Sequence, residues 1–156
     1  MQNKNISIQY KIYESVEELN DKDKELIEKA LQASNTSYSP YSKFKVGCAI
    51  RMKNQDIIIG SNQENIAYPS GMCAERVALY KSGVEGKGQI ETIAICAKDD
   101  KGKPQTAFPC GACRQVMMEY EKQMSKQPIN ILVLRQDKTI ISFDGVDSLL
   151  PFSFEF

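Results

Sequence analysis

The sequence of 156 residues contains no histidine, and this absence restricts the chemistry that the chain can support. Without imidazole, a zinc site must draw mainly on cysteine among the usual protein ligands. A general acid or base must likewise be a carboxylate or another group that is not imidazole. A catalytic site in this chain is therefore expected to combine cysteine with aspartate or glutamate.

Clustered positive charge is also missing. Twenty basic and twenty acidic side chains give a formal net charge of zero, and no dense run of Lys or Arg occurs. Proteins that bind nucleic acid normally present a clustered basic surface. The composition therefore argues against a nucleic-acid partner.

Long apolar runs are absent as well. Residues 1–10 lack the apolar stretch of a signal peptide, and no window approaches the length of a transmembrane helix. We expect no membrane association and a cytoplasmic location, where disulfides are rare. The five cysteines are an odd number, which a closed set of disulfides would not use.

The chain has no internal repeat and no linker rich in proline or glycine, so we expect a single domain spanning 1–156, with residues 1–20 as an extension of undetermined role. Apolar periodicity predicts helices at 21–34, 73–83 and 111–122, and strands at 44–50, 56–60, 91–97, 129–135 and 139–143. This order predicts an α/β fold in which helices cover both faces of a mixed five-stranded sheet.

Two cysteine motifs carry the chemical signal. Cys73-Ala74-Glu75 is followed by Cys110 and Cys113 in the run Pro-Cys-Gly-Ala-Cys. Three thiols and one carboxylate match a catalytic zinc with an open position and a proton carrier. Both motifs lie at predicted helix starts, where the positive end of the helix dipole favours thiolates. Arg76 could donate a hydrogen bond to a ligand sulfur.

Other interpretations of these cysteines exist. A Cys-x-x-Cys pair alone is compatible with a metal clip, a redox pair or coincidence, and Cys73 and Glu75 shift the balance to zinc. A fourth cysteine, Cys48 or Cys96, would close a structural zinc site. Both lie in predicted apolar strands, where a free cysteine is commonly a small core residue.

Five segments resemble the motifs of the cytidine deaminases, in the order of that family. They are Tyr-Ser-Pro-Tyr-Ser-Lys-Phe-Lys-Val-Gly at 38–47, Asn-Gln-Glu-Asn at 62–65, Cys-Ala-Glu-Arg at 73–76, Pro-Cys-Gly-Ala-Cys-Arg-Gln at 109–115 and Leu-Leu-Pro at 149–151. The resemblance runs from about residue 26 to the end of the chain. The Cys-x-Glu and Pro-Cys-x-x-Cys elements are typical of zinc nucleobase deaminases.

The resemblance implies a three-layer α/β/α cytidine deaminase-like fold and a homotetramer. It implies hydrolytic deamination of cytidine and 2′-deoxycytidine to uridine and 2′-deoxyuridine plus ammonia. By matching motif, Cys73, Cys110 and Cys113 would hold one Zn²⁺ per subunit, and Glu75 would shuttle protons.

Substrate contacts follow from the same resemblance. Asn62 and Glu64 would bind the ribose, Phe44 would pack on the pyrimidine, and the backbone N–H of Ala74 would face the base. From the residues alone, Asn62 and Glu64 are more typical of a solvated loop, and Phe44 is more typical of a core aromatic.

Tyr68 and the tail residue Phe154 are candidates for contact with a neighbouring subunit, although both could be ordinary packing. The tail also contains Phe152 and Phe156. The chain departs from the family pattern at Phe108, where a small hydroxyl residue is usual, and at Gln63, where an apolar residue is usual.

Three alternatives remain open at this point. A blasticidin S-type nucleoside antibiotic deaminase shares the zinc motifs, although the ribose motif at 62–65 favours an ordinary nucleoside. A deaminase that edits RNA or DNA would need a charged strand-binding surface. A non-catalytic structural-zinc module would need a closed four-sulfur site.

Overall fold

The computed structural model describes residues 1–86 and 88–154, so the last tail aromatic, Phe156, lies outside the described residues. The described residues form one seven-stranded sheet and three α-helices. The strands are β1 (Lys11–Tyr13), β2 (Lys45–Met52), β3 (Ile57–Ser61), β4 (Ile90–Lys98), β5 (Pro104–Gln105), β6 (Asn130–Leu134) and β7 (Ile140–Phe143). The helices are α1 (Asp21–Ala33), α2 (Ala74–Glu85) and α3 (Gly111–Glu119), and a π-helical turn at Tyr120–Ser125 extends α3.

The sheet is mixed. Its strand order is β1-β7-β6-β4-β2-β3, with β5 paired to β4, and only the β4–β6 pair is parallel among the described strands. Two apolar clusters cover its faces. One surrounds α1, and the other packs beneath α2 and α3. The α/β three-layer prediction is confirmed.

The sheet has two strands more than the five that the sequence predicts. β1 pairs with β7 in antiparallel register, and the two-residue β5 pairs with the end of β4. The five predicted strands are all present, with bounds that differ by a few residues. The additional strands were missed because two or three residues are too few to show an alternating pattern.

Two glycines allow helices to approach the sheet closely. A Cβ at Gly47 of β2 would lie 2.0 Å from the carbonyl oxygen of Ala30 in α1. A Cβ at Gly60 of β3 would lie 2.6 Å from the backbone nitrogen of Ala78 in α2. Any side chain at Gly60 would push α2 away from the sheet, so this glycine fixes the position of Cys73, the residue that precedes α2.

Among the residues that the structure describes, no helix combines the length and the apolar character needed to cross a membrane.

Candidate metal centre and active site

Three cysteine side chains converge where α2 and α3 begin. Cys73 is the N-cap residue of α2, Cys110 is the N-cap residue of α3, and Cys113 lies in the first turn of α3. The Cys73 and Cys110 sulfurs are 3.9 Å apart, the Cys110 and Cys113 sulfurs are 3.5 Å apart, and all three lie within 4.8 Å of one another. Three potential ligand atoms from two helices thus face one point.

The sulfur spacing fits zinc. Zn–S bonds of about 2.3 Å in tetrahedral geometry place ligand sulfurs about 3.8 Å apart. The two measured separations, 3.9 and 3.5 Å, lie close to that value. The donor set is also suitable, because thiolates are preferred zinc ligands and all five cysteines are free of disulfides. The residues present therefore fit a zinc ion.

Arg76 lies beside the sulfurs. Its Nη2 donates a hydrogen bond to the Cys73 sulfur at 3.8 Å, while its Nε is buried with no hydrogen-bond partner among the described residues. Three thiolates around Zn²⁺ leave a net charge of minus one. The guanidinium and the two helix N-termini offset part of that excess.

The thiols differ in acidity. Hydrogen bonds from the Cys113 thiol and from Arg76 lower the pKa of Cys73 to about 5, against the opposing effect of burial. The hydrogen bond to Cys73 holds the proton on Cys113 and raises its pKa. The cluster therefore shares its protons, with Cys73 as the first thiolate.

Glu75 lies in the first turn of α2 and is 5% exposed. Burial raises its pKa to about 7, and the negative charge of Cys73 contributes in the same direction. A carboxyl group with a pKa near the working pH both accepts and donates protons readily. Glu75 therefore has the acidity of a general acid/base next to the three sulfurs.

Cys48 and Cys96 do not join the cluster. Within the described residues, the group of candidate metal ligands contains Cys73, Cys110 and Cys113. Cys48 is fully buried on the face covered by α2 and α3, and Cys96 is fully buried on the face covered by α1. Desolvation raises the pKa of both thiols. The sequence-based interpretation of both as core residues agrees with this placement.

A cleft of about 270 Å³ opens beside Cys73 and Arg76. Its lining residues are Tyr41, Asn62, Gln63, Glu64, Asn65, Tyr68, Gly71, Met72, Cys73 and Arg76. The loop between β3 and α2 supplies most of this wall. Backbone hydrogen bonds of 2.8 Å in both directions between Gln63 and Met72 close that loop.

Asn62 and Glu64 are held by hydrogen bonds within the chain. The Oδ1 atom of Asn62 accepts from the Ser37 hydroxyl at 2.6 Å and from the Val46 backbone at 2.8 Å. Glu64 accepts from the Tyr41 backbone at 2.9 Å and from the Ser42 hydroxyl. The Ser42 hydrogen bond is the main reason that the pKa of Glu64 is lowered.

The remaining predicted site residues occupy different positions. Phe44 is half-buried and is not among the cleft-lining residues, but its carbonyl accepts from Asn62 Nδ2 at 2.9 Å. Ala74 is fully buried as the first residue of α2, where backbone N–H groups lack intrahelical partners. Tyr68 stands at the cleft rim, 88% exposed. Phe154 is 69% exposed and its backbone pairs with the Gln115 amide.

Sequence reasoning missed the serines that order the cleft. Ser37 and Ser42 fix Asn62 and Glu64. Ser42 lies in the segment 38–47, which resembles a family motif, and Ser37 directly precedes that segment; neither serine has a role that the motif alone indicates. Gln63, a departure from the family pattern, uses its side-chain amide to donate to the Ser61 hydroxyl at 3.1 Å.

Known proteins resemble the chain over most of its length. A family model described as "Cytidine and deoxycytidylate deaminase zinc-binding region" matches residues 20–126. A cytidine deaminase of Halalkalibacterium halodurans is 47% identical over 60% of this chain and 68% of its own. A cytidine deaminase of Sporosarcina psychrophila is 37% identical over 83% of this chain and 88% of its own.

A solved structure also matches. The cytidine deaminase of Burkholderia pseudomallei superposes with a TM-score of 0.72 and 32% identity, over 83% of this chain and 97% of its own. The family model, the two relatives and this structure together confirm the resemblance that the five sequence motifs indicated. The chain belongs to the cytidine and deoxycytidylate deaminase family, whose zinc-binding region it contains.

Proposed function

We propose that this chain catalyses the zinc-dependent hydrolytic deamination of cytidine and 2′-deoxycytidine, releasing uridine or 2′-deoxyuridine and ammonia. The observation that carries the proposal is the three-sulfur cluster with the buried Glu75 beside it. Three protein ligands would leave the ion able to bind a water as well. Cys73, Cys110 and Cys113 would hold the ion, and Arg76 would moderate the charge of the sulfurs.

Glu75 carries the proton transfers in this proposal. When bound, zinc lowers the pKa of a coordinated water toward neutrality. Glu75 accepts the proton of the attacking water and delivers it to the ring nitrogen beside the amino-bearing carbon. It then accepts the proton of the hydroxyl group that has formed on that carbon and transfers it to the amine, so that the carbon–nitrogen bond breaks, ammonia leaves and a carbonyl group remains. One carboxylate with a pKa of about 7 can perform both transfers, so the absence of histidine is no obstacle.

The cleft would hold the nucleoside. Within the chain, the Oδ1 atom of Asn62 accepts two hydrogen bonds and its Nδ2 donates one. The second N–H of Nδ2 would therefore be available to donate to a ribose hydroxyl. The Glu64 carboxylate accepts three hydrogen bonds from the Tyr41–Ser42 turn and retains acceptor capacity. Phe44 would pack on the pyrimidine, and the N–H of Ala74 would face the base.

We also propose that the whole chain, 1–156, acts as one domain in a cytoplasmic homotetramer serving pyrimidine salvage. Tyr68 and Phe154 support the assembly, because large aromatic side chains that are 88% and 69% exposed are suited to burial against a neighbour. These two residues would then contact the site of an adjacent subunit. Sedimentation equilibrium would give the number of chains directly.

The test of the function is loss of ultraviolet absorbance when zinc-loaded protein is mixed with cytidine. Parallel reactions contain 2′-deoxycytidine and blasticidin S. Conversion of the nucleosides is the expected result. Turnover of the antibiotic alone would place the chain with the antibiotic deaminases. A zinc-loaded protein that converts none of the three would contradict the proposal and support a structural-zinc module.

A further inference from the structure

The residues before the family match take part in the fold. The match begins at residue 20, whereas β1 lies at Lys11–Tyr13 and pairs with β7. The register places Lys11 opposite Ser142. Continued by one residue, it places Tyr10 opposite Phe143, and their ring centroids are 6.2 Å apart with the planes tilted by 46°. The N-terminal segment therefore brings an aromatic ring onto the last residue of β7.

Phe143 connects this ring to the segment that leads into Cys110. Its side chain is buried in the cluster beneath α2 and α3. The Phe143 ring also packs edge to face against the Phe108 ring, with the ring centroids 6.4 Å apart and the ring planes at 73°. Phe108 stands two residues before Cys110. We define Tyr10, Phe143 and Phe108 as the aromatic row.

The segment that leads into Cys110 has a second support. The Arg114 Nε donates to the Pro109 carbonyl at 2.8 Å, and its Nη1 donates to the Leu149 carbonyl at 2.9 Å. Arg114 thus fixes the backbone from the α3 side. Cys110 itself is exposed and its side chain makes no capping hydrogen bond. On the other side of this segment, the Phe108 ring packs edge to face on Phe143, and Pro109 between Phe108 and Cys110 is buried.

We propose that the aromatic row positions the sulfur of Cys110, with Phe108 as the positioning residue and Tyr10 as its support from the N-terminal segment. The inference rests on the proposed role of Cys110 as a zinc ligand. Tyr10 and Phe108 contact the same Phe143 ring, so the N-terminal segment and the segment that leads into Cys110 share one packing partner. Edge-to-face and tilted pairs at these separations stabilise beyond the area they bury.

The test compares Phe108→Ser and Tyr10→Ser with Tyr80→Ser. Tyr80 is a matched control on α2, because it is 43% exposed and Phe108 is 44% exposed. The first readout is backbone hydrogen exchange of residues 106–113 in zinc-free protein. We expect Phe108→Ser to accelerate exchange there by roughly two- to tenfold, Tyr10→Ser by less, and Tyr80→Ser not at all. Phe108→Tyr should restore the original rate.

The second readout is the rate of zinc transfer to a colorimetric chelator, which should rise in Phe108→Ser by a similar factor. Because Tyr10 acts through Phe143 and Phe108, the double variant should match Phe108→Ser, not multiply the two effects. Unchanged exchange in Phe108→Ser, or multiplied effects in the double variant, would overturn the inference. If the original protein neither holds zinc nor deaminates, the proposed function fails, while the zinc-free exchange still decides the aromatic row.

Discussion

The same residue type serves two purposes in this molecule, and its position determines which. Cys48 and Cys96 lie inside β2 and β4, where desolvation raises the pKa of each thiol. Cys73 lies at a helix start, and hydrogen bonds from the Cys113 thiol and from Arg76 lower its pKa to about 5. A thiol inside the sheet stays neutral and packs as an apolar group, whereas Cys73 is the first thiolate of a three-sulfur group that can bind metal.

The largest expected effect follows from removing a cysteine at a helix start. Cys110→Ala removes one of three proposed ligands, so zinc content should fall from one ion per chain to almost none and deamination should be lost. Cys96→Ala is the matched control and should keep its zinc. Atomic absorption on both purified variants measures this. An unchanged zinc content in Cys110→Ala would contradict the assignment of that residue.

Next in size is the loss of the proton carrier. Glu75→Gln keeps the shape of the side chain but cannot transfer protons, so kcat/KM for cytidine should fall by about 10²- to 10⁴-fold with zinc retained. Glu85→Gln changes a carboxylate at the other end of α2 and should leave the rate unchanged. Near-normal turnover in Glu75→Gln would mean that another group carries the proton.

The acidity of Glu75 predicts a pH dependence of stability in the zinc-free protein. Its pKa is raised from 4.5 to about 7 in the folded state, so the folded state holds this proton more tightly than the unfolded state. The contribution of Glu75 to the free energy of unfolding is fully present below about pH 4.5 and is lost as the pH rises through 7. The full loss amounts to roughly 3 kcal/mol.

Glu75→Gln has no carboxyl group at this position, so its free energy of unfolding should not decrease in this way as the pH rises. Urea unfolding of the zinc-free proteins should therefore show a variant more stable than the original at pH 8, with little difference at pH 4.5. The cysteines titrate in both proteins, so the difference between the two curves reports on Glu75 together with its interactions with Cys73 and Cys113. Parallel stability curves across this range would contradict the raised pKa.

The smallest effect is expected inside the sheet. Cys48→Ala removes a buried thiol from the core, which should lower the free energy of unfolding by roughly 1 kcal/mol. Zinc content and kcat/KM should stay within about twofold of the original values. Thermal unfolding and atomic absorption test the two statements together. Zinc loss in Cys48→Ala would show that the sheet thiol reaches the metal.

The sulfur cluster could be predicted from the sequence because the residues next to each cysteine indicate where a helix begins. Cys73 and Cys110 occupy the N-cap positions of helices that begin at the next residue, so recognising each helix start also places the thiol near the positive end of the helix dipole. The five long strands were predictable for a similar reason, since each carries enough residues to show its apolar pattern.

Contacts between distant segments could not be predicted in this way. The fixing of Asn62 by Ser37 and the packing of Phe108 on Phe143 depend on how loops meet in three dimensions. β1 is a related case. Its three residues form a strand because they pair with the edge of β7. A segment this short is too brief to show the alternating apolar pattern from which a strand is predicted.

We expect zinc to bind the cysteines at the helix starts and not those inside the sheet. X-ray absorption spectroscopy at the zinc edge of the zinc-loaded protein tests this assignment most directly. Our account predicts three sulfur ligands at about 2.3 Å and one oxygen ligand at about 2.0 Å, which is the open site that catalysis needs. Four sulfur ligands would mean that a thiol of the sheet completes the coordination. That result would contradict the separation of the cysteines and leave no position for water.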